Sequence, residues 1–76
     1  MENYEVGGNH YQLPIQPVEF IQKNNIPFCE GNVIKYVCRH KKKEKAKDIR
    51  KAISYCVLIL KHEYGYSDDD IKEIFK

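Results

Sequence analysis

The sequence predicts a small all-α domain of three main helices and a short C-terminal helix, which self-associates. Apolar residues recur at helical spacing in two segments. Proline, serine and glycine also stand at positions that start or end helices. The 76 residues suffice for one domain. We divide them into an N-terminal arm, residues 1–16, and a helical domain, residues 17–76.

The arm combines turn-forming residues with aromatic ones. Gly7, Gly8 and Pro14 argue against a regular element. His10 and Tyr11 leave two interpretations open, because they can simply pack the terminus onto a helix or form one wall of a binding site.

The first two helices are predicted from their ends. Pro17 suits a first helical position, where an N–H is unpaired in any case, and Asn24 and Asn25 stop this short helix. Residues 26–28 connect to the next helix, since the residue before Pro27 is disfavoured in helical geometry. The second helix is predicted from about residue 29 to about residue 42. Its expected buried stripe consists of Val33, Ile34, Val37, Cys38 and the stem of Lys41.

The third helix, about Lys45 to Tyr64, has the clearest pattern, and a turn within residues 41–47 is expected to precede it. Residues 57–60 are apolar nearly all round, and a chain this short buries only about 60% of its unfolded surface. We therefore predict a homo-oligomer formed through Ile53 to Leu60. The stripe on this helix consists of Ile49, Ile53, Cys56, Val57, Leu60 and Tyr64.

The C-terminal segment predicts a capped final helix. Gly65 ends the third helix, and Ser67 with Asp70 forms a capping box. We interpret Asp68, Asp69 and Asp70 as capping residues and not as metal ligands.

The three cysteines show no zinc-site spacing. We interpret Cys29, Cys38 and Cys56 as reduced cysteines, largely in the core, of a cytoplasmic protein. No apolar run is long enough to predict a membrane span.

Charge is segregated along the chain. Residues 35–51 hold nine of the thirteen Lys and Arg and two of the eleven acids, although the net charge is only +2. Lys35 and Arg39 lie one helical turn apart, so both can reach one anion, and Lys51 joins them if the second and third helices form a hairpin. Asn32 is a further candidate for ligand binding. Gly31, beside it, either lets another backbone or a ligand come close or is a tolerated weak position.

The aromatic residues nearby extend this interpretation to a nucleotide. Tyr36, His40 and Tyr55 can stack on a base or contact a sugar. The sequence has no phosphate-binding glycine loop, nucleophile elbow, zinc-protease motif or calcium loop. Glu30 and Asp48 flank the basic face and could hold a metal or orient an attacking group, which leaves phosphoryl transfer as an alternative. Nucleic-acid binding is a weaker alternative, because the acidic ends would repel a long polyanion.

Four stretches also carry a resemblance: His10-Tyr11, residues 15–21, residues 28–40 and residues 48–55. The central one has the form G-N-x-x-K-Y-x-x-R-H, and the last begins D-I-x-K-A. Over roughly residues 10–61 the chain resembles a small phage-borne domain family of unknown function, some phage members of which are described as nucleotide kinases. The resemblance implies nucleotide binding by Lys35, Tyr36, Arg39, His40, Asp48 and Lys51. It does not extend to catalysis, since this chain is only the minimal domain.

Together, these features predict a phage protein that binds a nucleotide or a nucleotide-derived signal, including a cyclic one, in the host cytoplasm. Sequestering such a signal would counter host defence without catalysis. No cofactor is expected, and Mg²⁺ is needed only under the kinase alternative. No membrane partner is expected.

Overall fold

The computed structural model describes residues 13–76, which form four helices and contain no strand. The helices are α1 (Pro17–Lys23), α2 (Phe28–Arg39), α3 (Ala46–Tyr64) and α4 (Asp68–Ile74). The predicted all-α fold is confirmed. The predictions for His10, Tyr11 and most of the arm concern residues that lie outside this range. Within residues 13–76, no helix combines the length and apolar character needed to cross a membrane.

The ends of α1 follow the sequence signals. Pro17 occupies the start of the helix, and its ring is buried. At the other end, the Asn24 side chain donates to the Phe20 carbonyl oxygen at 2.9 Å, and Asn25 takes a positive φ of 52°. Asparagine tolerates this left-handed conformation better than most residues, so the pair ends the helix as predicted.

Helices α2 and α3 pack as a hairpin and form the centre of the fold, with α1 packed on α2. The predicted turn is confirmed at residues 40–45. The Lys45 N–H donates to the His40 carbonyl oxygen at 2.8 Å, and Lys45 has φ +56°. A lysine rarely adopts this conformation, so contacts around the turn must hold it.

The start of α4 is capped as predicted. The Asp70 N–H donates to the Ser67 hydroxyl at 3.1 Å, and the Ser67 N–H donates to the Asp70 carboxylate at 2.9 Å. Hydrogen bonds from the backbone N–H and the side chain of Ser67 lower the pKa of Asp70. The hydrogen bond and charge of Lys61, 2.7 Å away, lower the pKa of Asp68. At the end of α3, Gly65 has φ +71°, the left-handed conformation expected of a glycine that ends a helix.

The core of the described chain differs from the prediction. Apart from Pro17, its one buried apolar side chain is that of Ala52, which is 4% exposed. Val37 and Cys38, expected on the buried stripe of α2, are exposed, as is Cys56 on α3, while Cys29 is half-buried. The cysteines are free, as expected, but their assignment to the core is wrong, because α2 and α3 meet through other faces.

Gly31 of α2 packs directly against Ile21 of α1. It is buried, and a Cβ built on it would lie 3.0 Å from Cγ2 of Ile21. The side chain of Ile21 therefore fills the space that a ligand would need beside Gly31. This finding favours helix packing as the reason for the glycine.

The Gly31 contact gives a direct test. We expect Gly31→Val to destabilise the fold by about 1–3 kcal/mol, because the branched side chain would push α1 away. Ile21→Ala in the same chain should recover part of this loss, which urea unfolding of the single and double variants would measure. A neutral Gly31→Val would contradict the close packing.

Candidate functional site

Aromatic rings join α2 to α3. The rings of Tyr36 and Tyr55 stack with centroids 6.1 Å apart and an interplanar angle of 13°. Phe28 meets the other end of this pair edge-on, with its ring centroid 5.9 Å from that of Tyr55. Both tyrosines are half-buried, whereas Phe28 is 75% exposed. The hairpin is thus held by an aromatic row with one open end.

Three cationic groups gather over the Tyr36 ring. Nζ of Lys35 lies 4.7 Å from the ring centroid, Cζ of Arg39 lies 4.9 Å away, and Nζ of Lys51 lies 5.2 Å away. Each such contact contributes about 0.5–1 kcal/mol at a partly exposed site. The electron-rich ring therefore draws together three positive charges that would otherwise repel one another. We call Lys35, Arg39, Lys51 and Tyr36 the cation cluster.

Asp48 anchors one member of this cluster. Nε of Arg39 donates to one oxygen of Asp48 and a terminal guanidinium nitrogen donates to the other, both at 3.1 Å. The backbone N–H of Glu44 donates to the same carboxylate at 3.0 Å. Asp48 is fully buried, and Arg39 is 23% exposed. The carboxylate therefore ties the end of α2, the turn and the start of α3 together.

The ionisation of Asp48 reflects these contacts. Burial raises the pKa of the carboxyl, but the hydrogen bonds from Arg39 and Glu44 and the charges of Arg39 and Lys51 outweigh burial. The net effect is a pKa below the ordinary value of 3.8. Asp48 is consequently ionised near neutral pH and offsets one of the three positive charges.

The cluster keeps an excess of positive charge. Its two lysines are half-buried, and neither forms an ion pair with a carboxylate within residues 13–76. Because these charges are partly desolvated and close together, a bound anion would relieve their repulsion. This part of the α2–α3 surface is suited to a phosphate or a carboxylate.

The structure brings together six of the predicted site residues: Lys35, Tyr36, Arg39, Lys51, Tyr55 and Asp48. Two others have local contacts. The Asn32 side chain donates to the Phe28 carbonyl oxygen at 3.1 Å, and the carbonyl of His40 accepts the bond that closes the turn.

The two candidate acids do not meet. Glu30 precedes Arg39 by nine residues, roughly 13 Å along α2. It lines a groove of about 180 Å³ whose other lining residues include Phe28, Leu58, His62 and Glu63. Both oxygens of Asp48 already accept hydrogen bonds. In the part of the chain that is described, no three His, Cys, Asp or Glu side chains group together to hold a metal.

Sequence reasoning missed two features of the site. It assigned Arg39 to the ligand and did not pair it with Asp48. The signal was present, because Arg39 is in the last turn of one helix, Asp48 is in the first turn of the next, and only a short turn separates them. It also overlooked Phe28, whose position beside Pro27 suggested a connector and gave no sign of a contact with Tyr55.

These features define a small all-α protein with a cationic and aromatic surface on a helical hairpin. The chain belongs to the family described as a protein of unknown function, DUF3310, which matches residues 6–57. That range includes the whole cation cluster and Asp48. Searches of curated proteins and of solved structures gave no significant match.

Proposed function

We propose that this protein binds a nucleotide, or a nucleotide-derived molecule such as a cyclic nucleotide, at the cation cluster. The observation that carries the proposal is the convergence of Lys35, Arg39 and Lys51 on one tyrosine ring, against a single buried carboxylate. A phosphate beside the two lysines would replace water with charge-assisted hydrogen bonds, which are stronger than neutral ones.

The aromatic row supports a nucleotide over a simple anion. Tyr36 is already stacked on Tyr55 and covered by the cations, so its ring serves to position charge. The exposed ring of Phe28, at the far end of the row, offers a surface on which a base can stack. The phosphate and the base would then bind at different points of one row.

The biological setting is also part of the proposal. The resemblance of the motif segments to a phage-borne domain supports a role in phage infection, and binding alone would suffice to sequester a defence signal. Phosphoryl transfer to a nucleoside monophosphate is the enzymatic alternative, and Mg²⁺ belongs to that alternative alone. Because Glu30 lies far from Asp48, the two acids give no added support to phosphoryl transfer.

Nucleic-acid binding is the third possibility. It would use the exposed lysines of the turn, Lys41, Lys42 and Lys45, together with Lys47. These side chains surround no aromatic ring in the described residues, so they would act as a diffuse field with strong salt dependence.

Isothermal titration with a panel of ligands tests the proposal. The panel contains mono-, di- and cyclic nucleotides, the matching nucleosides, inorganic phosphate and a short single-stranded oligonucleotide. We expect at least one nucleotide to bind more tightly than both its nucleoside and inorganic phosphate, and to be recovered chemically intact after heat denaturation. Nucleosides binding as tightly as nucleotides would refute a role for the cation cluster.

Two further outcomes would favour the alternatives. Formation of diphosphate from a monophosphate with ATP and Mg²⁺ would establish the kinase. Binding of the oligonucleotide alone, abolished at moderate salt, would establish the nucleic-acid function.

A further inference from the structure

The most regular apolar stripe within residues 13–76 is largely exposed. Along α3, Ile53 is 42% exposed and Tyr64 is 71% exposed. Cys56, between them, is exposed, while Val57 and Leu60 are half-buried. These five residues follow the spacing of a single helical face. We call them the α3 stripe.

The stripe is open because α2 packs on another side of α3. The side that meets α2 carries buried Asp48, buried Ala52 and Tyr55. At about 100° per residue, the centre of this side lies roughly 125° around the helix from the centre of the α3 stripe. Helix α3 therefore packs on α2 through its polar and aromatic face, and its aliphatic face stays largely exposed within residues 13–76.

We propose that a second copy of this chain covers the α3 stripe, with the two α3 helices antiparallel about a twofold axis near residues 58 and 59. Such an interface is self-complementary, as twofold symmetry requires. Ile53 would then contact the partner's Tyr64, and Val57 would contact the partner's Leu60. The pairing buries apolar surface that residues 13–76 of one chain leave exposed.

The charge distribution selects the antiparallel arrangement. Lys45 precedes α3 and its first turns carry Lys47 and Arg50, while Asp48 there is paired with Arg39. The last turn carries Lys61 and Glu63, and because Lys61 pairs with Asp68 at 2.7 Å, Glu63, Asp69 and Asp70 leave this end acidic. An antiparallel pair places each basic end beside the partner's acidic end. It also places the positive end of each helix dipole beside the negative end of the other. A parallel pair would place like charges together at both ends.

This dimer would leave the cation cluster accessible. Lys51 lies on the side of α3 roughly opposite the centre of the stripe, by the same angular spacing. Each dimer would therefore present two ligand sites that face away from the interface. The inference does not depend on what those sites bind.

Sedimentation of matched variants tests the interface. We expect the natural chain to sediment as a dimer at micromolar concentration and Ile53→Asp to sediment as a monomer. Leu58→Asp is the control, since Leu58 lies five residues along the same helix, is 36% exposed, and points about 140° away from Ile53. It should remain dimeric, and circular dichroism should show both variants helical.

Two sedimentation results would overturn the inference. A monomeric natural chain would mean that a second copy does not cover the stripe. Equal loss of dimer in both variants would mean that the interface is not on this face.

Spin labels measure the orientation. A cysteine-free chain (Cys29→Ser, Cys38→Ser, Cys56→Ala) that still sediments as a dimer would carry a single label at Lys47→Cys, an exposed position. The antiparallel dimer separates the two labelled backbones by roughly 35 Å along the helix axes, whereas a parallel one holds them roughly 10 Å apart. A short distance would refute the proposed pairing even if the protein is dimeric.

Discussion

Replacing Asp48 with alanine should destabilise the fold by about 3 kcal/mol, the low end expected when one partner of a buried ion pair is removed. The change removes the carboxylate to which Arg39, only 23% exposed, donates two hydrogen bonds, and the Glu44 N–H loses its hydrogen bond to Asp48. Because small domains have only about 5 kcal/mol of stability, the variant should keep only about 2 kcal/mol, and its unfolding midpoint should fall markedly. Urea or thermal unfolding followed by circular dichroism measures the effect.

Two comparisons separate the ion pair from general loss of charge. Glu63→Ala removes an exposed acid from the same helix and should change stability by less than about 0.5 kcal/mol. Arg39→Met combined with Asp48→Leu should recover much of the loss, since an apolar pair of similar volume needs no partner. If Asp48→Ala and Glu63→Ala behaved alike, Asp48 would not anchor the turn.

The pH dependence has a defined sign. The pKa of Asp48 is lower in the folded chain than its ordinary value of 3.8, so folding favours the ionised form. The stabilisation is complete above the unfolded pKa and is lost as the pH falls through the folded pKa. Asp48→Asn should therefore flatten the acid side of the stability profile relative to the natural chain.

The sequence predicted the helices better than the way they pack. Pro17, Gly65 and the Ser67 capping box act through bonds within a few residues, so their effects are visible in the local sequence. The packing is decided by pairs far apart in the chain. Helices α2 and α3 pack through the faces that carry the Tyr36–Tyr55 stack and the Arg39–Asp48 ion pair. Hydrophobic periodicity alone does not predict these faces.

Only part of the candidate site was predicted, because local spacing identifies some of its residues and tertiary contacts decide the rest. Lys35 and Arg39 were identified because one helical turn separates them, and Lys51 because a hairpin would bring it near. The position of Tyr36 beneath all three cations depends on side-chain directions that spacing does not give. Asp48 was predicted to hold a metal or to orient an attacking group. Its burial and its pairing with Arg39 are tertiary effects, which the local sequence does not show.

These contacts decide which charges should matter most for a ligand. The guanidinium of Arg39 is engaged by Asp48, so Arg39→Ala would lower stability as well as affinity. Lys35 and Lys51 have no carboxylate partner within residues 13–76 and are half-buried. Their ammonium groups are therefore the best placed to bind a phosphate. Lys42 lies exposed in the turn, where its charge stays hydrated.

For the best-binding nucleotide of the panel, we expect Lys35→Ala and Lys51→Ala each to weaken binding at least tenfold. The loss of a charged hydrogen bond costs on the order of 1.5–3 kcal/mol, whereas the loss of one solvated charge costs well under 1 kcal/mol. Titration calorimetry at two salt concentrations measures this against Lys42→Ala as the control. Its small effect should disappear at the higher salt, because exposed charges are screened, while the other two losses should persist. Equal losses from all three variants, each removed by salt, would instead indicate a diffuse basic surface and favour nucleic acid as the ligand.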